Sequence, residues 1–122
     1  MAFTMNIDHD QRLIVFNLHG KVDDQEPLEM ARQLLKAPEY SAGYRILHDC
    51  SNITDYQVTG NGLYALSVQA QEIRSPTAVV VPAEGYIRGM MTVYQSMVNW
   101  DVPRLRLFAN KSEALEWLHS FD

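Results

Sequence analysis

The segment Thr77-Ala78-Val79-Val80-Val81-Pro82 constrains the fold more than any other part of the chain. Ala78 to Val81 is a continuous apolar run halted by a proline, the pattern of a central strand buried on both faces. Such strands belong to sheets that are covered by helices, so the flanking sequence has to supply them.

It does. Leu63, Leu66, Ala70 and Ile73 fall on one helical face, in a helix that ends before Ser75-Pro76. Beyond Pro82, Ile87, Met90, Met91, Tyr94, Met97 and Val98 make a second stripe, predicting a helix over 84–98. A strand follows in RLRLFA, with Leu105 and Leu107 opposing Arg104, Arg106 and Phe108. The last helix opens on Asn110 with Glu113 three residues on, a capping-box pattern, and offers Ala114, Trp117, Leu118 and Phe121 as its core face.

Towards the N-terminus, Phe3, Met5 and Ile7 alternate with polar residues, DHDQ supplies a turn, and RLIVFNLHG makes a second strand. Together they read as an antiparallel hairpin. After Val22, either Asp23 or Asp24 can accept hydrogen bonds from the free amides of a first helical turn, where Pro27 is tolerated. Leu28, Ala31, Leu34 and Leu35 form the stripe of this helix, and Pro38 ends it. YRILHD is the next strand. The order ββαβαβαβα predicts an α/β fold: a mixed five-stranded sheet with an N-terminal antiparallel hairpin and four helices, in one domain over residues 1–122.

Composition narrows the function. A formal charge of −5, with only ten Lys and Arg scattered along the chain, argues against a nucleic-acid surface. Cys50 is the only cysteine, so no intramolecular disulfide forms and a reducing, cytoplasmic setting is expected. The first residues lack the basic-then-apolar pattern of a signal peptide, and no apolar stretch reaches membrane-spanning length.

Candidate sites gather in RILHDCSNITDYQVTGNGLYAL, residues 45–66, which reads as a strand, a polar loop from Asp49 onward and a helix start. Thr59 stands where helix-start amides would stabilise a phosphate, although Thr59 or Asn61 as a plain cap, with Gly60 and Gly62 setting the turn, explains the same residues. In His48-Asp49-Cys50 the strand period puts His48 and Cys50 on one side and Asp49 on the other. No oxyanion hole is evident, so Cys50 reads as a small buried residue and Asp49 as a tie for the loop. The histidines show no metal-ligand spacing. Tyr86, Met90, Met91, Tyr94 and Met97, with Trp100 just beyond, form an adaptable surface suited to core packing, an apolar ligand or a partner.

AVVVPAEGYIRGMMTVYQSM followed by RLRLFANKSEALEWL resembles the bacterial STAS/SpoIIAA-like family in its Pro-ended strand, its Gly-Met helix with a Tyr and its closing F…EAL.WL. The hairpin IDHDQRLIVFNLHGKVD and the LHDCSNITD segment fit as well, so the resemblance runs along nearly the whole chain. It implies a fold shared with anti-sigma-factor antagonists and related to lipid-carrying CRAL-TRIO domains, with a phosphorylatable Ser or Thr at the helix start after the third strand. The family pattern there is close to Asp-Ser-Ser-Gly-Leu. Val58-Thr59-Gly60-Asn61-Gly62-Leu63 keeps the Gly-Leu and a hydroxyl and lacks the Asp and the adjacent Ser.

The expectation is a non-enzymatic regulatory or protein-interaction module, without cofactor, metal or catalytic residues. Its partner loop would be Asp49, Ser51, Asn52, Asp55, Thr59 and Asn61, serving a protein partner or a homodimer. The alternative is a carrier or sensor of a small apolar, lipid-like ligand between helix 84–98 and the sheet.

Overall fold

The computed structural model describes residues 2–99 and 104–121. Strands β1 (Phe3–Asp8) and β2 (Leu13–Val22) pair antiparallel, from Phe3 opposite Leu18 to Asp8 opposite Leu13. The Asp8 carboxylate closes their turn by accepting from the Gln11 amide at 3.0 Å and from its side chain at 2.9 Å. β3 (Arg45–Tyr56), β4 (Thr77–Val80) and β5 (Leu105–Phe108) then add in parallel, and the sheet runs β1-β2-β3-β4-β5.

The helices are α1 (Gln25–Lys36), α2 (Pro38–Ser41), α3 (Gly60–Ala70), α4 (Tyr86–Val98) and α5 (Lys111–His119). The parallel steps from β2 to β5 all advance the same way across the sheet. Right-handed crossovers therefore place α1, α3 and α4 on one face. The larger core lies there, joining Phe16, Ile46 and Val79 of the sheet to Leu34, Leu63 and Tyr94 of the helices. α5 alone covers the other face, where Ala114 and Leu118 meet Leu47, Ala78, Val80 and Phe108. β4 is buried at every position, as its unbroken apolar run requires.

The structure differs from the sequence reading in three places. Pro38 stops α1 and also opens the one-turn helix α2, since proline suits a first helical position, so there are five helices where four were expected. β3 does not end at Asp49: β2 is ten residues long and keeps pairing to Val22 opposite Tyr56. Asp49, Ser51, Asn52 and Asp55 are therefore strand residues rather than loop residues, on a two-stranded extension that outruns β4. Phe121 is 46% exposed and stacks edge-on against Trp117 instead of entering the core. Trp100 lies outside the described residues.

Candidate functional site

At the top of β3 the Gln57 amide donates to the Val22 carbonyl at 2.8 Å, Val58 is buried, and the chain turns into α3 at Thr59. Thr59 is the N-cap: its backbone is extended and its Oγ1 accepts from the Gly62 amide at 3.0 Å. The same residue is held from the far side by Asp24. Its amide donates to Asp24 Oδ1 at 2.7 Å, and its hydroxyl donates to Asp24 Oδ2 at 2.7 Å. One carboxylate thereby ties the start of α1 to the start of α3, at the positive end of the α3 dipole.

Asp24 is the N-cap residue of α1, but its side chain makes no cap bond there and is free for this, while Asp23 bonds the helix start. Asp23 Oδ1 accepts from the Gln25 amide at 2.9 Å, and the Asp23 amide donates to Glu26 at 3.0 Å. Hydrogen bonding with Glu26 and Gln25 also lowers the Asp23 pKa. Gly62 is part of the arrangement. A Cβ there would collide with the Asp24 carboxylate, with even Oδ2, the farthest of its three atoms, only 2.9 Å away. In the sequence Asp23 and Asp24 look like interchangeable caps, which hides the second role. The one signal for it is a tandem Asp where a single cap is enough.

The other candidate residues of this region do not join that cluster. The Asp49 carboxylate accepts from the Ser51 amide at 3.0 Å and from its hydroxyl at 2.6 Å. Asp55 accepts from the Gln57 side chain at 3.0 Å, and Asn52 is exposed opposite His19 on β2. Asn61 is exposed in the first turn of α3. Beyond it Tyr64 and Val68 are 63% and 52% exposed, on a helix that carries no charged residue.

The methionine-rich helix α4 divides. Tyr94 and Val98 are buried, Met90, Met91 and Met97 are half-buried, and Tyr86 is exposed with its ring edge-on to Tyr56. Between the sheet and the layer of α1, α3 and α4 lies a cavity of about 80 Å³. Met91 and Tyr94 line it, whereas Tyr86, Met90 and Met97 do not. His48 and Cys50, on one side of β3, also reach it. Burial drives the His48 pKa down to about 4 and pushes the Cys50 thiol up to about 12, so both are uncharged at neutral pH. Burial raises the phenols of Tyr56 and Tyr94 as well. Among the described residues no cluster of His, Cys, Asp and Glu could hold a metal ion, and no helix is long and apolar enough to cross a membrane.

The chain matches no family model, and no curated protein matches it. Among solved structures it is similar to the anti-sigma factor antagonist SpoIIAA in its unphosphorylated form, with a TM-score of 0.60 and 16% identity over 97% of this chain and 98% of that one. The fold is SpoIIAA-like. A DUF3478-family protein of Shewanella loihica, described as having a SpoIIAA-like fold, superposes with a TM-score of 0.57 and 20% identity over 96% of this chain and 92% of its own. The phosphorylated form of the Bacillus cell fate determinant SpoIIAA gives 0.55 and 11% identity, over 96% and 99%. At these identities the likeness shows the SpoIIAA-like fold and its mixed sheet.

Proposed function

We propose that the chain is a non-enzymatic regulatory module of the cytoplasm, a single domain that binds a protein partner under the control of Thr59. The observation that carries this reading is the exposed Thr59 hydroxyl, held at 2.7 Å by Asp24 at the start of α3. A phosphoryl group on that oxygen adds about −1.5 to −2 of charge at neutral pH. It would stand beside the Asp24 carboxylate, where like unit charges 4 Å apart repel by about 1 kcal/mol in water and by several in a partly shielded setting. Attraction to the helix-start amides and dipole is worth about 0.3–1 kcal/mol. Repulsion outweighs that attraction, so modification expels Asp24, breaks the tie between α1 and α3, and changes the exposed surface that continues through Asn61, Tyr64 and Val68.

Support from outside the chain comes from SpoIIAA, an anti-sigma factor antagonist whose structure is known with and without phosphate. The buried, uncharged Cys50 and the inward-facing His48 fit a protein without a nucleophilic centre. Carriage of a lipid-like molecule has weaker support, because the cavity of about 80 Å³ falls well short of the ~300–1,000 Å³ usual for ligand pockets. Crosslinking and capture from the native cell test the proposal. Wild type and Thr59→Ser should retain a partner that Thr59→Glu loses, and an identical partner set for all three would remove Thr59 as the control point.

A further inference from the structure

The cavity beneath α1, α3 and α4 holds a hydrogen-bonding group that the protein does not satisfy. The Tyr56 hydroxyl is buried with no hydrogen-bond partner. The His48 ring and Tyr94 line the same space and are the further polar side chains that could bond within it. Buried polar groups are nearly always paired, because leaving one unpaired is costly. The Tyr56 hydroxyl is the one such atom on this cavity; among the described residues the other is Arg88 Nη1. The remaining wall is mainly apolar, with Phe16, Leu34, Leu63 and Val79 among its residues.

We infer that this cavity is a binding site for a small uncharged hydroxyl compound, in the range from short-chain alcohols to phenol. The apolar wall takes the hydrocarbon body, while the Tyr56 and Tyr94 hydroxyls and the His48 ring take its hydroxyl. A carboxylate or an ammonium is disfavoured by the cost of burying a charge against a mainly apolar wall, and the Arg104 guanidinium already donates to the carbonyls of Ile73 and Val98. Size favours the short-chain alcohols. A cavity of ~150 Å³ holds benzene, so about 80 Å³ holds roughly half as many heavy atoms as it stands. A ring the size of phenol enters only if the wall gives way, and Met30 and Met91, unbranched and adaptable, are the lining side chains best suited to do so. This site is separate from Thr59 and stands or falls independently of the regulatory reading.

The test is titration of the full chain with phenol, 1-propanol, toluene and benzoate, followed by amide chemical shifts and calorimetry. Saturable shifts at Ile46, His48 and Cys50 with phenol or 1-propanol, weaker binding of toluene and none of benzoate are expected. Removing one hydrogen bond should weaken hydroxyl binding about tenfold in Tyr56→Phe or in His48→Leu. Tyr56→Phe deletes only an unpaired hydroxyl and keeps the fold. The site is overturned if neither hydroxyl compound binds saturably, if toluene binds as tightly as phenol, or if both variants bind like wild type.

Discussion

The Asp24 carboxylate occupies the space that a side chain at position 62 would need, so Gly62 and Asp24 are present as a pair. The relationship crosses from the start of α1 to the first turn of α3, and it leaves Asp24 free to hold Thr59 by its amide and its hydroxyl.

The effect of Gly62→Ala should therefore depend on its background. In a helix, Ala is favoured over Gly by about 1 kcal/mol. In wild type the new methyl drives the Asp24 carboxylate aside and forfeits its two bonds from Thr59, which offsets that gain or exceeds it. In an Asp24→Ala background the obstacle is gone, and the same substitution should stabilise by about 0.5–1 kcal/mol. Urea unfolding of the four chains of this cycle measures the difference. Equal effects in both backgrounds would mean that Asp24 does not fill the space.

Acid stability should depend on His48. Its folded pKa is lowered from 6.5 to about 4, so below pH 6.5 the unfolded chain binds a proton that the folded chain resists. Stability is lost as the pH falls through that window, by up to about 3 kcal/mol at its lower end. His48→Leu should flatten this part of the profile relative to wild type. Denaturant midpoints at pH 7, 6, 5 and 4 read the effect. Parallel profiles for the two proteins would show that His48 titrates normally.

Cys50 should be inert in the native state. Burial and the neighbouring Asp49 charge raise its thiol pKa to about 12, so almost no thiolate exists near pH 8. Labelling with a thiol reagent should follow global unfolding, accelerating with urea in step with the loss of structure. Rapid stoichiometric labelling of the folded protein would contradict the burial.

The parts that were legible in the sequence were those set by local chemistry. Ala78 to Val81 announced a central strand because an unbroken apolar run needs cover on both faces. Asn110 announced a helix start, and its side chain accepts from the Glu113 amide at 2.9 Å. The extension of β3 was hidden because Ser51, Asn52, Thr54 and Asp55 are polar and exposed, like a loop, while what keeps them in a strand is the backbone of β2. The Asp24–Thr59 tie was hidden for a related reason: its partners lie 35 residues apart and meet only once α1 and α3 are on the same face of the sheet. A space between helix 84–98 and the sheet was expected from the methionine-rich stripe, and Met91 and Tyr94 do line the cavity, whereas the part that His48 and Tyr56 play in its wall was hidden because they carry no motif.

The central claim is that the state of Thr59 decides partner binding, and the most direct measurement is an affinity. The captured partner is titrated against the unmodified chain and against the chain carrying phosphothreonine at position 59. A difference of at least about tenfold, roughly 1.4 kcal/mol, is the predicted result. Equal affinities for the two forms would contradict the account.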